Sequence, residues 1–357
     1  MAHINREIHQ TARHPNAERP IQEGNHELRT FHFKPPVLGR APRCASPRAS
    51  FPFPANRNRS CCDRWFDQTC ITSTISNSLL APLPAVKVLP MVMRLPAPEE
   101  CQHDMFLFNL RDNDHRQFLS QKWGANQRFQ SRRRIVLAAE LLSQRLPRSG
   151  ATVADIACGT ADFGLLMAEK GFPVDLIDNE PKFFDYIRLK KTTGTVNFVQ
   201  SDINTLSLDK KFSAIFFGEA LEHMAEPSQT LKVLREHLPK GGLLCLTTPN
   251  GDFANCYTEN WEQVKDQKDR NKRLANTIGN HVCEFTKKEL KTLVQEAGFC
   301  ILQHKTIVSD LVARRHAVRW LLPEKLVWML DESWSKRETT SGKDLGKLQL
   351  LLAQRVG

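Results

Sequence analysis

Val153-Ala-Asp-Ile-Ala-Cys-Gly-Thr-Ala-Asp-Phe-Gly164 is the stretch on which the fold turns. The apolar run Thr152 to Ala157 reads as a strand, and it carries one acid, Asp155, toward its end. Small residues follow (Ala157, Cys158, Gly159, Thr160, Ala161) and lead straight into a helix over Ala161 to Lys170 that Gly171 closes. A turn of small residues is required where backbone must approach a ligand closely, because a side chain would fill that volume. The helix behind it presents unpaired N–H groups toward the same place. Gly159 is the pivotal position.

Downstream, short apolar runs alternate with amphipathic stretches, the pattern of a parallel α/β sheet. Val174 to Ile177, Asn197 to Gln200, Ala214 to Phe217 and Leu243 to Thr247 read as strands two to five. Pro181 opens a helix bearing Phe183, Phe184 and Ile187, and another runs from Ser228 to Leu238 before Gly241-Gly242 turn the chain. Thr286-Lys-Lys-Glu289 has the form of a capping box; it starts a helix with Leu290, Leu293, Val294 and Ala297 on one face, and Gly298 ends it. Cys300 to Ile307 and Lys347 to Ala353 are the last expected strands. Between them a helical stretch, Leu311 to Trp334, forms an insertion bounded at about 308–340.

Upstream, His115 to Trp123 and Arg134 to Leu146 read as helices of an N-terminal cap over 105–149, leading into a main domain over 150–357. Residues 1–104 are rich in Pro, Arg, His, Ser and Asn and show neither strand nor helix periodicity. They are expected to be a disordered extension or to precede the true start, with Met91, Met93 or Met105 as candidates.

With 41% apolar and 25% charged residues, the chain can bury a sizeable core. Its net charge of +11 comes largely from arginines scattered through the N-terminal stretch and from runs such as Arg132-Arg133-Arg134, so nucleic acid is not expected as a partner. None of the ten cysteines forms a C-x-x-C pair, and the Cys61, Cys62, Cys70 cluster has no matching set downstream. Cys158 and Cys245 stand in apolar runs, where a thiol behaves as a small hydrophobe. A disulfide scaffold and a zinc site are therefore set aside, and no metal is assigned. No apolar run is long enough to span a bilayer and no secretory pattern opens the chain, so a soluble cytoplasmic protein is expected.

Two further acids fall at strand ends: Asp178, followed by Asn179, closes the second strand, and Asp202, followed by Ile203, comes after the third. In open α/β sheets ligands bind outside the carboxyl ends of the strands, where the strand order reverses. An acid placed as Asp178 is can accept both hydroxyls of a ribose. Asp202 beside apolar Ile203 suits an adenine, with a carboxylate for its amine and a wall beside its ring.

These residues resemble the cofactor-binding motif of class I S-adenosylmethionine-dependent methyltransferases, in which an acid and a G-x-G-x-G turn follow the first strand. Here the turn reads Ala157-Cys-Gly159-Thr-Ala161, with alanine at two of the three glycine positions. Phe217-Gly-Glu-Ala-Leu-Glu-His-Met224 is similar to the Leu-Glu-His motif of the ubiquinone-biosynthesis O-methyltransferase branch. Lys240-Gly241-Gly242, Thr248-Pro249-Asn250 and the stretch from His281 to Phe299 resemble the same group, and the likeness covers roughly 130–357. It implies a Rossmann-like, doubly wound, seven-stranded sheet and S-adenosyl-L-methionine as cofactor. The implied cofactor contacts are Asp155, Ala157, Cys158, Gly159, Thr160, Asp178, Asn179, Asp202, Ile203 and Glu219.

A sulfonium methyl is already activated, so an enzyme of this kind must align an acceptor and exclude water. A hydroxyl acceptor must also lose its proton, which a histidine can take near neutral pH. His223, just past the fourth strand, is the candidate base, and His281 is the second candidate. Glu219 and Glu222 are alternative polar contacts to the cofactor or a metal. The amphipathic, aromatic run Val318 to Leu330 reads as a helical lid over the acceptor pocket; alternatively, 311–334 contacts a lipid-linked acceptor or a membrane surface. The acceptor is expected to be small or lipid-linked and to be methylated on oxygen. A nicotinamide enzyme would need glycine where Asp162 stands. A protein that binds the cofactor without catalysis is supported only by the two alanines. DNA amino-methylation would need an Asn/Asp-Pro-Pro-aromatic motif that the sequence lacks.

Overall fold

Seven apolar runs become strands: β1 Val153–Ile156, β2 Val174–Asp178, β3 Val196–Gln200, β4 Ala214–Gly218, β5 Leu243–Pro249, β6 Phe299–Ile307 and β7 Leu348–Arg355. They pair into one sheet in the order β3-β2-β1-β4-β5-β7-β6. Strands β1 to β5 are parallel, and β7 runs antiparallel to both β5 and β6. This is the computed structural model of the chain, and it describes residues 95–119, 125–190, 193–253, 256, 258–269, 281–309, 311–312, 315, 318, 321–340 and 346–357. The expectations for residues 1–94 lie outside the described residues.

Period-two alternation puts both faces of the sheet in apolar surroundings. On β4, Ala214 and Phe216 enter one core, while Ile215 and Phe217 enter the other. On β5, Cys245 faces the first and Leu244 and Leu246 the second. The first core is closed by α3 (Ala125–Ser143), α4 (Asp162–Glu169) and α5 (Pro181–Leu189), which contribute Leu142, Phe163, Met167 and Ile187. The second is closed by α6 (Pro227–Glu236) and α8 (Lys287–Glu296), through Leu231, Leu234, Leu290 and Val294. Thr286 and Glu289 form the expected capping box of α8. A short helix, α7 (Trp261–Val264), precedes it.

Helical structure is already present before the boundary at 105 that the sequence suggested. Helix α1 (Pro98–Cys101) buries Cys101, and Arg111 Nε donates to the carbonyl of Pro96 at 2.8 Å. Helix α2 spans Met105–Asp114 because Asp104 caps it, accepting from the backbone N–H of Phe106 and Leu107. The helix expected over His115 to Trp123 is thus displaced: α2 runs into a single π-helical turn, His115–Leu119, and 120–124 lie outside the described residues. The second expected helix starts earlier, at Ala125 rather than Arg134, since Arg133 lies inside the protein and does not end the apolar face.

Arg133 is 2% exposed and pairs with Asp331 at 3.0 Å and Glu332 at 2.6 Å, with its guanidinium 5.2 Å from the Trp328 ring. Those partners belong to α9 (Glu324–Thr340), the inserted helix. Its continuous part begins at Glu324 rather than Leu311, and it turns Val327 and Trp328 into the first core. Leu326, Met329, Leu330 and Trp334 stay exposed along its outer side. The excursion starts after Val308 and returns beside it, where the N–H of Lys347 donates to the Val308 carbonyl at 2.9 Å and the N–H of Asn250 to the Lys347 carbonyl at 3.0 Å. Among the described residues, no helix is long and apolar enough to cross a membrane.

Candidate active site

The chain leaves β1 in a bend in which every second residue is left-handed: Ala157 at φ +54°, Gly159 at +50° and Ala161 at +57°. Glycine adopts this conformation freely, whereas an L side chain raises its energy by roughly 1–2 kcal/mol. A Cβ built on Gly159 would meet nothing within 4 Å, so open space lies beside the bend, as a close-approaching ligand requires. Five residues on, Gly164 is crowded: its Cβ would sit 2.3 Å from Leu176 Cδ2 and 2.9 Å from Asp155 Oδ2. Gly164 is thus the glycine that lets α4 lie close against the sheet.

The expected cofactor residues take different parts. Asp155 turns inward, is 3% exposed and accepts from the Gly164 N–H at 2.8 Å; burial pushes its carboxyl well above the usual range. It braces the start of α4 rather than facing the open side of the bend. Asp178 accepts from the Gly159 N–H at 2.9 Å and the Glu180 N–H at 3.1 Å, and burial raises its carboxyl. Each of its oxygens keeps a lone pair for a ribose hydroxyl. Asp202 is exposed, and one of its oxygens receives both the backbone and the side-chain N–H of Asn204 at 2.8 Å. Ile203 beside it is 9% exposed and enters the second core. Asn179 is exposed, with its carbonyl accepting from Gln200 at 3.4 Å. The half-buried Cys158 has its thiol raised well above the ordinary value by burial. Thr160 donates its hydroxyl to Asp162 at 2.8 Å.

Beneath the bend lies a cluster that sequence reasoning missed. Lys190 Nζ donates to the Thr160 carbonyl at 2.8 Å and Asp162 at 2.7 Å, and it lies 2.6 Å from Asp114 of α2. The Tyr186 hydroxyl donates to the same Asp114 oxygen at 2.9 Å. Burial, reinforced by Asp162, pushes the Asp114 carboxyl up to about 6. The one available signal was Asp162 itself, a charge where the nicotinamide fingerprint has glycine.

At the ends of β4 and β5 the rim is acidic and imidazole-rich. Glu219 holds a left-handed backbone, φ +53°, fixed by its N–H donating to the Thr247 carbonyl at 2.8 Å, and its carboxylate lies 3.9 Å from Arg134. Glu222 is 1% exposed; one oxygen accepts from Thr248 Oγ1 at 2.9 Å, and the other has no hydrogen-bond partner among the described residues. Burial, with Glu219 adding to it, pushes the Glu222 carboxyl well up. His223 and His281 meet edge to face, ring centres 5.0 Å apart. His281 Nδ1 lies 3.2 Å from Glu284, whose other oxygen accepts from Cys256 Sγ at 3.0 Å. Burial alone would raise Glu284, but the His281 and Cys256 hydrogen bonds hold it below its ordinary value.

The sequence assigned no metal, yet the fold brings together a set that suits one. Ligand atoms of Glu222, His223 and His281 all lie within 4.8 Å of one another. Two imidazoles and a carboxylate form a known divalent-cation set, and a bound cation would favour the ionised form of Glu222, whose second oxygen has no hydrogen-bond partner among the described residues. The same imidazoles could instead accept a proton from an acceptor hydroxyl. Their separation in sequence hid the pairing, because no local spacing joins position 223 to 281.

Comparison with known proteins identifies the family. A family model described as a methyltransferase domain matches residues 107–304. The ubiquinone biosynthesis O-methyltransferase of Xylella fastidiosa (strain 9a5c) is 30% identical over 122 residues, covering 32% of this chain and 48% of that protein. Its counterpart in Xanthomonas oryzae pv. oryzae (strain PXO99A) is 31% identical over 118 residues, covering 31% and 48%. The chain spans about half the length of these curated relatives. Among solved structures, magnesium protoporphyrin IX methyltransferase from Synechocystis PCC 6803 with bound S-adenosylmethionine superposes with a TM-score of 0.45 at 13% identity, covering 70% of this chain and 90% of that one.

Proposed function

Since the chain belongs to the methyltransferase domain family, we propose that it transfers a methyl group from S-adenosylmethionine to a hydroxyl oxygen of a small or lipid-linked acceptor. The observation that carries this reading is the open left-handed bend at Gly159 with Asp178 beside it, next to the His223–His281 pair. Bound S-adenosylmethionine supplies a methyl on a sulfonium, an electrophile that needs no further activation.

The chain's own residues would do the rest. Asp178 would hold the ribose hydroxyls through its remaining lone pairs, and Asp202 with Ile203 would flank the adenine. Gly159 and its neighbours, including Cys158 and Asn179, would line the cofactor with backbone and small side chains. His223 would take the proton of the acceptor hydroxyl, which would leave the oxygen nucleophilic toward the methyl group that the cofactor supplies, and the proton would rest on imidazole. His281, steadied by Glu284, would hold His223 in place or relay that proton. The names of the curated relatives support oxygen over nitrogen or carbon, and the apolar outer side of α9 supports a lipid-linked acceptor.

The clustering of Glu222, His223 and His281 favours a second reading, in which a divalent cation there draws the acceptor oxygen into position. One set of measurements separates the readings. Titration calorimetry with S-adenosylhomocysteine, followed by turnover of a catechol acceptor before and after chelation, should show binding in both cases. Turnover that survives chelation leaves His223 as base, whereas turnover lost and restored by added Mg2+ or Zn2+ supports the cation. No heat with either S-adenosylmethionine or its demethylated product would sink the proposal.

A further inference from the structure

We propose that Lys190 is a positioning residue for the cofactor bend, and that Asp114 makes this positioning conditional on docking of the N-terminal helices, so that cofactor binding and cap docking reinforce each other. This rests on the methyltransferase reading, because it presumes that the bend at Gly159 holds S-adenosylmethionine.

Lys190 follows the last residue of α5, and its side chain is 1% exposed. An ammonium has three N–H donors, and here its three partners lie in different elements. The Thr160 carbonyl belongs to the bend, the Asp162 carboxylate opens α4, and the Asp114 carboxylate ends α2. Thr160 is gripped twice, since its hydroxyl also bonds Asp162. Any shift of the ammonium is therefore felt at the residue directly after Gly159. Any departure of α2 removes one of the ammonium's two anionic partners.

The junction is not fully satisfied. Asp114 Oδ2 receives both Lys190 and Tyr186, but Asp114 Oδ1 is buried with no hydrogen-bond partner among the described residues. Two carboxylates face one ammonium, so docking the cap buries one negative charge that the cluster does not neutralise. A linker that served only as a strut would have no need of that imbalance. A buried charge left without a full counter-charge lowers the net gain from cap docking, and a ligand that binds the docked form better shifts the equilibrium toward it. Outside the cluster, α2 is held at α5 by the half-buried contact of Phe106 with Phe183, rings 5.7 Å apart, and by the more exposed pair of Lys182 with Asp104 at 3.2 Å. Coupling between two sites is reciprocal: if the cap improves cofactor affinity, cofactor must improve cap docking by the same factor.

That reciprocity supplies a readout that a merely structural role would not move. Hydrogen exchange is followed by mass spectrometry on the full chain, with and without S-adenosylhomocysteine. The proposal expects amides of 105–119 to slow by about threefold or more on addition, although none of them is expected to touch the ligand. By calorimetry, Asp114→Ala, which removes the oxygen that both Lys190 and Tyr186 reach, should weaken S-adenosylhomocysteine by about tenfold and remove the protection of 105–119. Lys190→Met should weaken it at least as much, and Lys190→Arg should recover part of the loss. The wild-type exchange arm needs no variant, so a variant that fails to fold leaves the question decidable. Ligand binding without slower exchange in 105–119, or equal affinity in the Asp114→Ala variant, overturns the coupling while leaving the function intact. Absence of any ligand binding to the wild-type protein overturns the functional reading, and this one with it.

Discussion

Gly164→Ala is the substitution whose outcome the packing fixes most sharply. The added methyl would stand 2.3 Å from Leu176 Cδ2, and ordinary contact begins at 3.4 Å, so that side chain must retreat by about 1 Å. Leu176 is fully buried in the first core, where such overpacking destabilises by roughly 1–3 kcal/mol. The same methyl lies 2.9 Å from Asp155 Oδ2, the oxygen that accepts from the Gly164 N–H. Pushing that carboxyl away leaves a buried donor and acceptor poorly paired, a loss of about 1–3 kcal/mol. Replacing a helical glycine by alanine returns about 1 kcal/mol through helix propensity. The net destabilisation is about 3 kcal/mol, which for a domain of this size lowers Tm by roughly 6–12 °C. Urea denaturation followed by tryptophan fluorescence measures it, and calorimetry with S-adenosylhomocysteine should show weaker binding as α4 shifts under the bend. A variant as stable as its parent, with affinity unchanged, would refute the claim that glycine is required by the helix-to-sheet contact.

Ala157→Gly should act in the opposite direction. It relieves a left-handed alanine worth roughly 1–2 kcal/mol and gives back about 0.4–1 kcal/mol of unfolded-state entropy, so the melting temperature should rise by a few degrees. A fall in that temperature would contradict the strain argument. Asp178→Ala should weaken S-adenosylhomocysteine by about tenfold or more, whereas His223→Ala should spare affinity and lower kcat by roughly a hundredfold. Calorimetry and single-turnover assays report the two separately, and full turnover in the second variant removes His223 from the chemistry. Asp114, raised in the folded protein to about 6, binds its proton more tightly folded than unfolded. Its contribution to stability is therefore complete below the unfolded value near 4 and is lost as pH rises through about 6, on the order of 1–3 kcal/mol. The difference in urea midpoint between wild type and Asp114→Asn, followed from pH 4 to 7, should carry this slope; a flat difference would show that Asp114 does not titrate there.

Much of the sheet was legible because strands buried on both faces read as continuous apolar runs, and because small residues between β1 and α4 leave few conformational alternatives. Asp178 and Asp202 were legible as strand-end acids for the same reason. What escaped notice was set by partners far away in sequence. Arg133 reads as part of a basic surface run until Asp331 and Glu332 are seen to enclose it, and the start of α3 was misplaced for that reason. The Asp104 cap of α2 was a local signal that was passed over. Lys190 beside Lys191 gives no sign of burial, and His281 gives none of its approach to His223. Asp155 counted toward the cofactor from its position alone, while its carboxyl direction depends on how closely Gly164 lets α4 approach.

The stem at Val308 and Lys347 has a bearing on how this architecture can diversify. A detour that departs and rejoins at adjacent backbone atoms transmits no change of length to its neighbours, and the entropy of closing it grows only slowly as residues are added. Residues 309–346 can accordingly be lengthened, trimmed or exchanged between related chains while every strand keeps its register. The ion pairs reaching Arg133, together with the burial of Val327 and Trp328, then act as the docking code that any replacement must reproduce.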